Sequence, residues 1–215
     1  MNNTAELALP VTPLSGSLVR ARWSTRVQFA SLGILSGAWG AHVPSIKQHF
    51  ALTEVSLSVV LLFVALGVLF SLMFVGRVVE RLTARGAALI GGLLISAALA
   101  AMLHAPGFVL LLPIAFILGA SMSLFDVSIN ADGTELEHVG GKPIMSNLHG
   151  MFSAGGMAGA ALVALLLRLG MPAAEQLALI SGVLAVVIVV ASRGMLVTHS
   201  TSDEPKQNFA WPRGL

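Results

Sequence analysis

Cysteine is absent from the 215 residues, and so is tyrosine. Without a thiol there is no disulfide framework, no zinc ribbon and no cysteine nucleophile. Charge is also scarce: charged residues make up 10% of the chain, against about 25% in a typical soluble domain. Hydrophobic residues make up 56%, and the mean hydropathy is +0.88. So few charges cannot cover so large an apolar fraction in water, so the solvent for most of the chain is lipid. This excludes a disordered chain, a nucleic-acid-binding domain and an ordinary cytosolic enzyme. No GxGxxG follows a strand and no P-loop occurs, so no nucleotide or other cofactor is implied. The opening segment, MNNTAELALPVTPLSGSLVRAR, has no apolar core of the kind a cleaved signal peptide carries. It reads as a loose tail over 1–22.

What is present is a series of six apolar stretches, at 27–43, 55–75, 87–103, 108–129, 148–169 and 177–191. About 20 helical residues cross a 30 Å hydrocarbon core, and each stretch is long enough to span or nearly so. Runs without two-residue alternation point to helices rather than a barrel. The sequence therefore predicts an all-α integral membrane protein with six transmembrane helices over 23–196 and a tail over 197–215. Ten of the twelve Lys and Arg residues fall on one side of this arrangement, with only Lys47 and Arg168 on the other. The positive-inside rule then places both termini in the cytoplasm. The partners implied are the lipid bilayer and whatever the bundle handles, with no nucleic acid among them.

The first stretch is the most polar. Gly33, Gly37 and Gly40 lie near one face with Ser36 beside them, a spacing that permits close helix contact. Gln28 interrupts the apolar run and is a candidate for lining a cavity; tight packing alone is the other reading. Gly155, Gly156 and Gly159 make a similar small-residue surface on the fifth stretch. Asp126 and Asn130, four residues apart, share a helix face. Asp126 lies about 27 Å along a helix from Phe108, still in the inner part of the bilayer. A carboxylate at that depth is a functional candidate; the alternative is a displaced helix whose end it merely decorates. Asp132, Glu135, Glu137 and His138 read as a solvated face. His149 opens the fifth stretch and is either a partner for a carboxylate of the fourth or a helix-start residue. His149 and Ser153 sit on one helix with no second histidine to serve them, so an intramembrane protease does not fit. Glu135 and His138 have half of a di-metal spacing without the other half. The chain reads as no enzyme and as binding no metal.

GRVVERLTARG, between the second and third stretches, resembles the glycine- and arginine-rich loop of major facilitator superfamily transporters. Gly76, Arg77, Arg81 and Arg85 supply the glycine and basic positions, and Glu80 stands about where an aspartate is usual. FDVSINADG and GKPIMSNLHGMFSAGGMAGA resemble the YbjJ-type inner-membrane branch, related to the fucose–proton symporters. This resemblance implies the amino-terminal half of the fold, six helices as two inverted three-helix repeats. It also implies a bacterial inner-membrane location and proton-linked transport of a small polar, sugar-like solute. Asp126 and Asn130 match the acid-plus-asparagine pattern of the symporters' fourth helix, with His149 as an optional proton relay. The symporters' acid on the first helix has no counterpart here, nor does a Gly-Pro step on the fifth. QNFAWPRGL resembles the central loop before a seventh helix. The expectation is therefore a half-length chain, completed by a carboxy-terminal half or by a second copy of itself, or else a fragment that does not transport.

Overall fold

The computed structural model describes residues 16–197. The tail over 1–15 and the segment 198–215, with Lys206, Arg213 and the QNFAWPRGL motif, lie outside the described residues. Five helices follow in order: α1 (Gly16–His49), α2 (Glu54–Met102), α3 (Phe108–Gly140), α4 (Met145–Arg168) and α5 (Ala173–Ser192). The described residues contain no strand.

Six separate helices were expected and five are found, because the second and third apolar stretches are joined in α2. Its 49 residues would measure about 74 Å if straight, more than twice the hydrocarbon thickness. The helix is interrupted at Thr83, with φ 66° and ψ 159°, a costly backbone for a β-branched residue. The Thr83 hydroxyl accepts the backbone N–H of Gly86 at 3.3 Å, the bond a helix N-cap makes. Both parts of α2 lie along α3. Gly67 sits against the backbone of Phe116, and Gly91 sits 2.7 Å, measured from an added Cβ, from the Phe125 amide. The chain thus reverses at Thr83.

Four helices, α2 to α5, are long and apolar enough to cross a membrane. Their outer faces carry Leu62, Leu69, Phe70, Met73, Val183 and Val186, all exposed, as suits a surface that meets lipid rather than water. α1 is not among the four. Its polar residues Thr25, Gln28, Ser31 and His42 are all buried, so its weak hydropathy is directed at the other helices. α1 packs mainly on α4 and α5, and α2 mainly on α3, with α5 also against α2.

The ends of the helices sort the charges. Arg22 donates to the carbonyl of Gly140 at 3.4 Å, and Arg26 donates to Asn147 at 2.8 Å. These bonds gather the start of α1, the end of α3 and the start of α4. Val79 and Ala84, flanking the α2 reversal, pack with Val127 and Ala131 near the end of α3. Arg20, Arg22, Arg26, Arg77, Arg81, Arg85, Lys142 and Arg193 therefore share one end of the bundle. Lys47, ion-paired with Glu54, and Arg168 lie toward the other.

Candidate functional site

Two close helix crossings frame a cleft. α1 and α4 meet backbone to backbone. A Cβ at Gly33 would fall on the carbonyl of Phe152, one at Gly37 on that of Gly156, and those at Gly155 and Gly159 on the carbonyls of Ala30 and Ile34. α2 and α3 meet in the same manner, Gly67 against Phe116 and Gly119 against Val64. Only glycine leaves the backbones room to approach this closely. Gly156 is the surface on which Gly37 rests; its own Cβ would be in ordinary contact, 3.7 Å from Gly33. The helix-packing expectation does not extend to Gly40, where an added Cβ meets nothing within 4 Å.

The cleft has a volume of about 390 Å³ and is open on one side. α1 contributes Leu32 and Ser36, and α2 contributes Val68. α3 contributes Met122, Ser123 and Asp126, and α4 contributes His149 and Phe152. Within this largely apolar lining Asp126 is the single carboxylate. Asn130, one turn on, donates to its Oδ1 at 3.1 Å and to its backbone carbonyl at 2.9 Å. The amide thereby fixes one carboxylate oxygen and leaves the other without a hydrogen bond among the described residues. His149 faces the same space with its ring edge against Phe29, centroids 5.5 Å apart. It forms no ion pair with Asp126; among the described residues the one ion pair is Lys47–Glu54.

Ser123 was not among the expected site residues. Its buried hydroxyl has no hydrogen-bond partner among the described residues, and it lies in the cleft wall one turn before Asp126. The Asp126-minus-three spacing was legible, but nothing in the sequence separated this serine from those that bond back to their own helix, as Ser36 and Ser121 do.

Gln28 does not line this cleft. It is fully buried between α1 and α5, donating to the Ile188 carbonyl at 3.2 Å and to the Ser192 hydroxyl at 2.9 Å. The solvated face expected after Asn130 is corrected in part: His138 is exposed and Glu135 half-buried, while Asp132 and Glu137 are engaged. Asp132 is buried, accepting from Thr25 at 2.5 Å and from the backbone N–H of Leu196 at 3.2 Å. Glu137 reaches back to accept the N–H groups of Ile144 and Met145, at 2.5 and 2.7 Å. It supplies the acceptor that the start of α4 otherwise lacks. Gly76, Arg77, Glu80 and Arg81 are exposed and Arg85 is half-buried. All five lie within α2 at the basic end, and none lines the cleft.

The chain is similar to an uncharacterized MFS-type transporter of Yersinia pestis, 30% identical over 194 residues, covering 89% of this chain and 50% of the relative. It is 36% identical over 129 residues to an uncharacterized transporter of Sinorhizobium fredii, covering 60% of this chain and 34% of the relative. It is 30% identical over 132 residues to the membrane protein MosC of Rhizobium meliloti, covering 61% and 32%. The chain thus spans about half the length of the Yersinia relative and about a third of the other two. No family model matches it, and no solved structure matches significantly. With four membrane-length apolar helices and these relatives, the chain is a multi-pass membrane protein.

Proposed function

We propose that the chain forms one wall of a major facilitator-type transporter, and that its cleft carries a small polar solute together with a proton. The observation that carries this reading is the placement of Asp126. It is the one carboxylate in a mostly apolar cleft, held by Asn130 and facing His149. A carboxylate in such surroundings is stabilised by taking a proton or by binding a hydrogen-bonding solute. Exchange between these two states would bias a rocking bundle toward one facing. His149 serves as a relay and Ser123 as a second donor to the solute. The sugar-like solute and the YbjJ-type branch rest on the likeness of FDVSINADG to the fourth helix of the symporters.

The open side of the cleft and the greater length of the relatives support completion by a second bundle, either a carboxy-terminal half or a second copy. Alternating access needs two bundles that move against each other. In the bacterial inner membrane the basic end would face the cytoplasm, with both termini on that side.

The test uses vesicles carrying the full chain, purified from native membranes with any bundle that cross-links to it. A pH-sensitive dye inside reports proton entry as hexoses, pentoses and polyols are added in turn. A solute that brings protons in with the native chain and not with Asp126→Asn supports the reading. Full coupled uptake by Asp126→Asn removes Asp126 from the mechanism. Cross-linking to copies of itself alone favours the homodimer.

A further inference from the structure

A second concavity lies away from the cleft, between the start of α1 and the end of α5, with a volume of about 640 Å³. Its lining is divided by chemistry. Arg20, Trp23, Ser24 and Arg193 form one end; Val27, Val186 and Val190 form the other. Arg20 to Val27 is seven residues of helix, so the polar and apolar ends are separated by about 10 Å along the membrane normal. Gly194 permits the convergence: an added Cβ there would strike the Ser24 hydroxyl and come 3.2 Å from the aliphatic stem of Arg20.

Arg22 and Arg26 at the same end are engaged with Gly140 and Asn147. Arg20 and Arg193 meet no carboxylate, carbonyl or side-chain acceptor among the described residues. Trp23 and Val190 are both 59% exposed and Val186 is 64% exposed. The groove therefore presents two guanidiniums without an acceptor among the described residues, beside an exposed valine surface. A tryptophan sits at the boundary, the depth its amphipathic ring prefers.

We propose that this groove is a binding site for an anionic phospholipid. The phosphate sits between Arg20 and Arg193 with the Ser24 hydroxyl as a further donor, and an acyl chain lies along Val27, Val186 and Val190. Charge complementarity selects this occupant: a zwitterionic lipid offers the same apolar chain but places its own cation beside the two arginines. Guanidinium forks match phosphate oxygens, and basic pockets between membrane helices recognise anionic headgroups by this means. The site is separate from the Asp126 cleft and does not depend on the transport reading.

Trp23 supplies the probe. In a Trp39→Phe, Trp211→Phe chain it is the sole tryptophan, and lipids brominated on the acyl chain quench it in proportion to their occupancy beside it. In mixed vesicles, brominated phosphatidylglycerol should quench Trp23 with an association constant about thirty-fold above brominated phosphatidylcholine, as two basic side chains imply. Arg20→Gln with Arg193→Gln should bring the ratio close to one, while Arg77→Gln with Arg81→Gln should leave it unchanged. Helix content by circular dichroism checks that each chain is folded, and the ratio in the unsubstituted groove is decisive even where the double variant is not. Equal quenching by both lipids overturns the proposal. So does an absence of quenching by either, which would mean that protein covers the groove. A preference that emerges only in Asp203→Asn, Glu204→Gln would assign the arginines to the chain's own acidic segment instead. Glycerol phosphate in solution should not compete, since it lacks the chain that the valines hold.

Discussion

The hydroxyl of Thr25 on α1 donates to the buried carboxylate of Asp132 on α3 at 2.5 Å, across 107 positions of sequence. The other oxygen of Asp132 takes the backbone N–H of Leu196, just beyond α5. One carboxylate thus ties three segments at the basic end, and it does so without a cationic partner among the described residues. Its removal leaves the Leu196 N–H without an acceptor among the described residues, while the Thr25 hydroxyl keeps only the carbonyl of Ala21 at 2.9 Å.

Thr25→Val should destabilise the bundle by about 1–3 kcal/mol, the cost of leaving a buried acceptor short of a bond. Thr25→Ser should recover most of the loss. Thermal unfolding in detergent, followed by helix content, reads both. A Thr25→Val chain as stable as the native one would show that the bond contributes nothing.

At the α1–α4 crossing, Gly33→Val and Gly155→Val each place side-chain atoms on a carbonyl oxygen. Overpacking of this kind typically costs about 1–3 kcal/mol and more where backbone must move. Gly40→Ala, facing open space, should stay within about 0.5 kcal/mol of the native chain. The same melts compare them, and a Gly33→Val chain no less stable than Gly40→Ala would contradict the crossing.

At the α2 reversal, Thr83→Ala loses the acceptor for the Gly86 N–H and keeps the unfavourable φ. A loss of about 1 kcal/mol is expected. Thr83→Gly loses the same cap but relieves the backbone, so it should be the milder of the two. Chemical denaturation of both variants ranks them, and the reverse order would refute the strain at this position.

Because the chain has no cysteine, any introduced thiol is unique. Arg81→Cys and Lys47→Cys should react with a membrane-impermeant maleimide from opposite sides of sealed vesicles. Asp126→Cys, in the open cleft, should react with a small hydrophilic thiol reagent, and Ile129→Cys, at 0% exposure, should not. Labelling of positions 81 and 47 from the same side would contradict the sorting of charges by helix end.

The apolar stretches, the helical class and the sidedness of the basic residues were legible in the sequence, because lipid imposes length and hydropathy on each segment separately. The pairing of Asp126 with Asn130 was legible too, since one turn of helix sets it. Local pattern did not decide which polar residues face which space. Gln28 and Asp126 look alike as interruptions of apolar runs, yet Gln28 closes on Ser192 and Asp126 opens into the cleft. Asp132 looked solvated until Thr25 and Leu196 were brought to it. The glycines are the same case: Gly33 and Gly40 share a helix, and only α4's position makes one a contact and the other a gap. Composition and periodicity act along the chain and fix what each segment can be. Polar satisfaction and close backbone approach act between segments, so only the packed bundle decided which residues form the site.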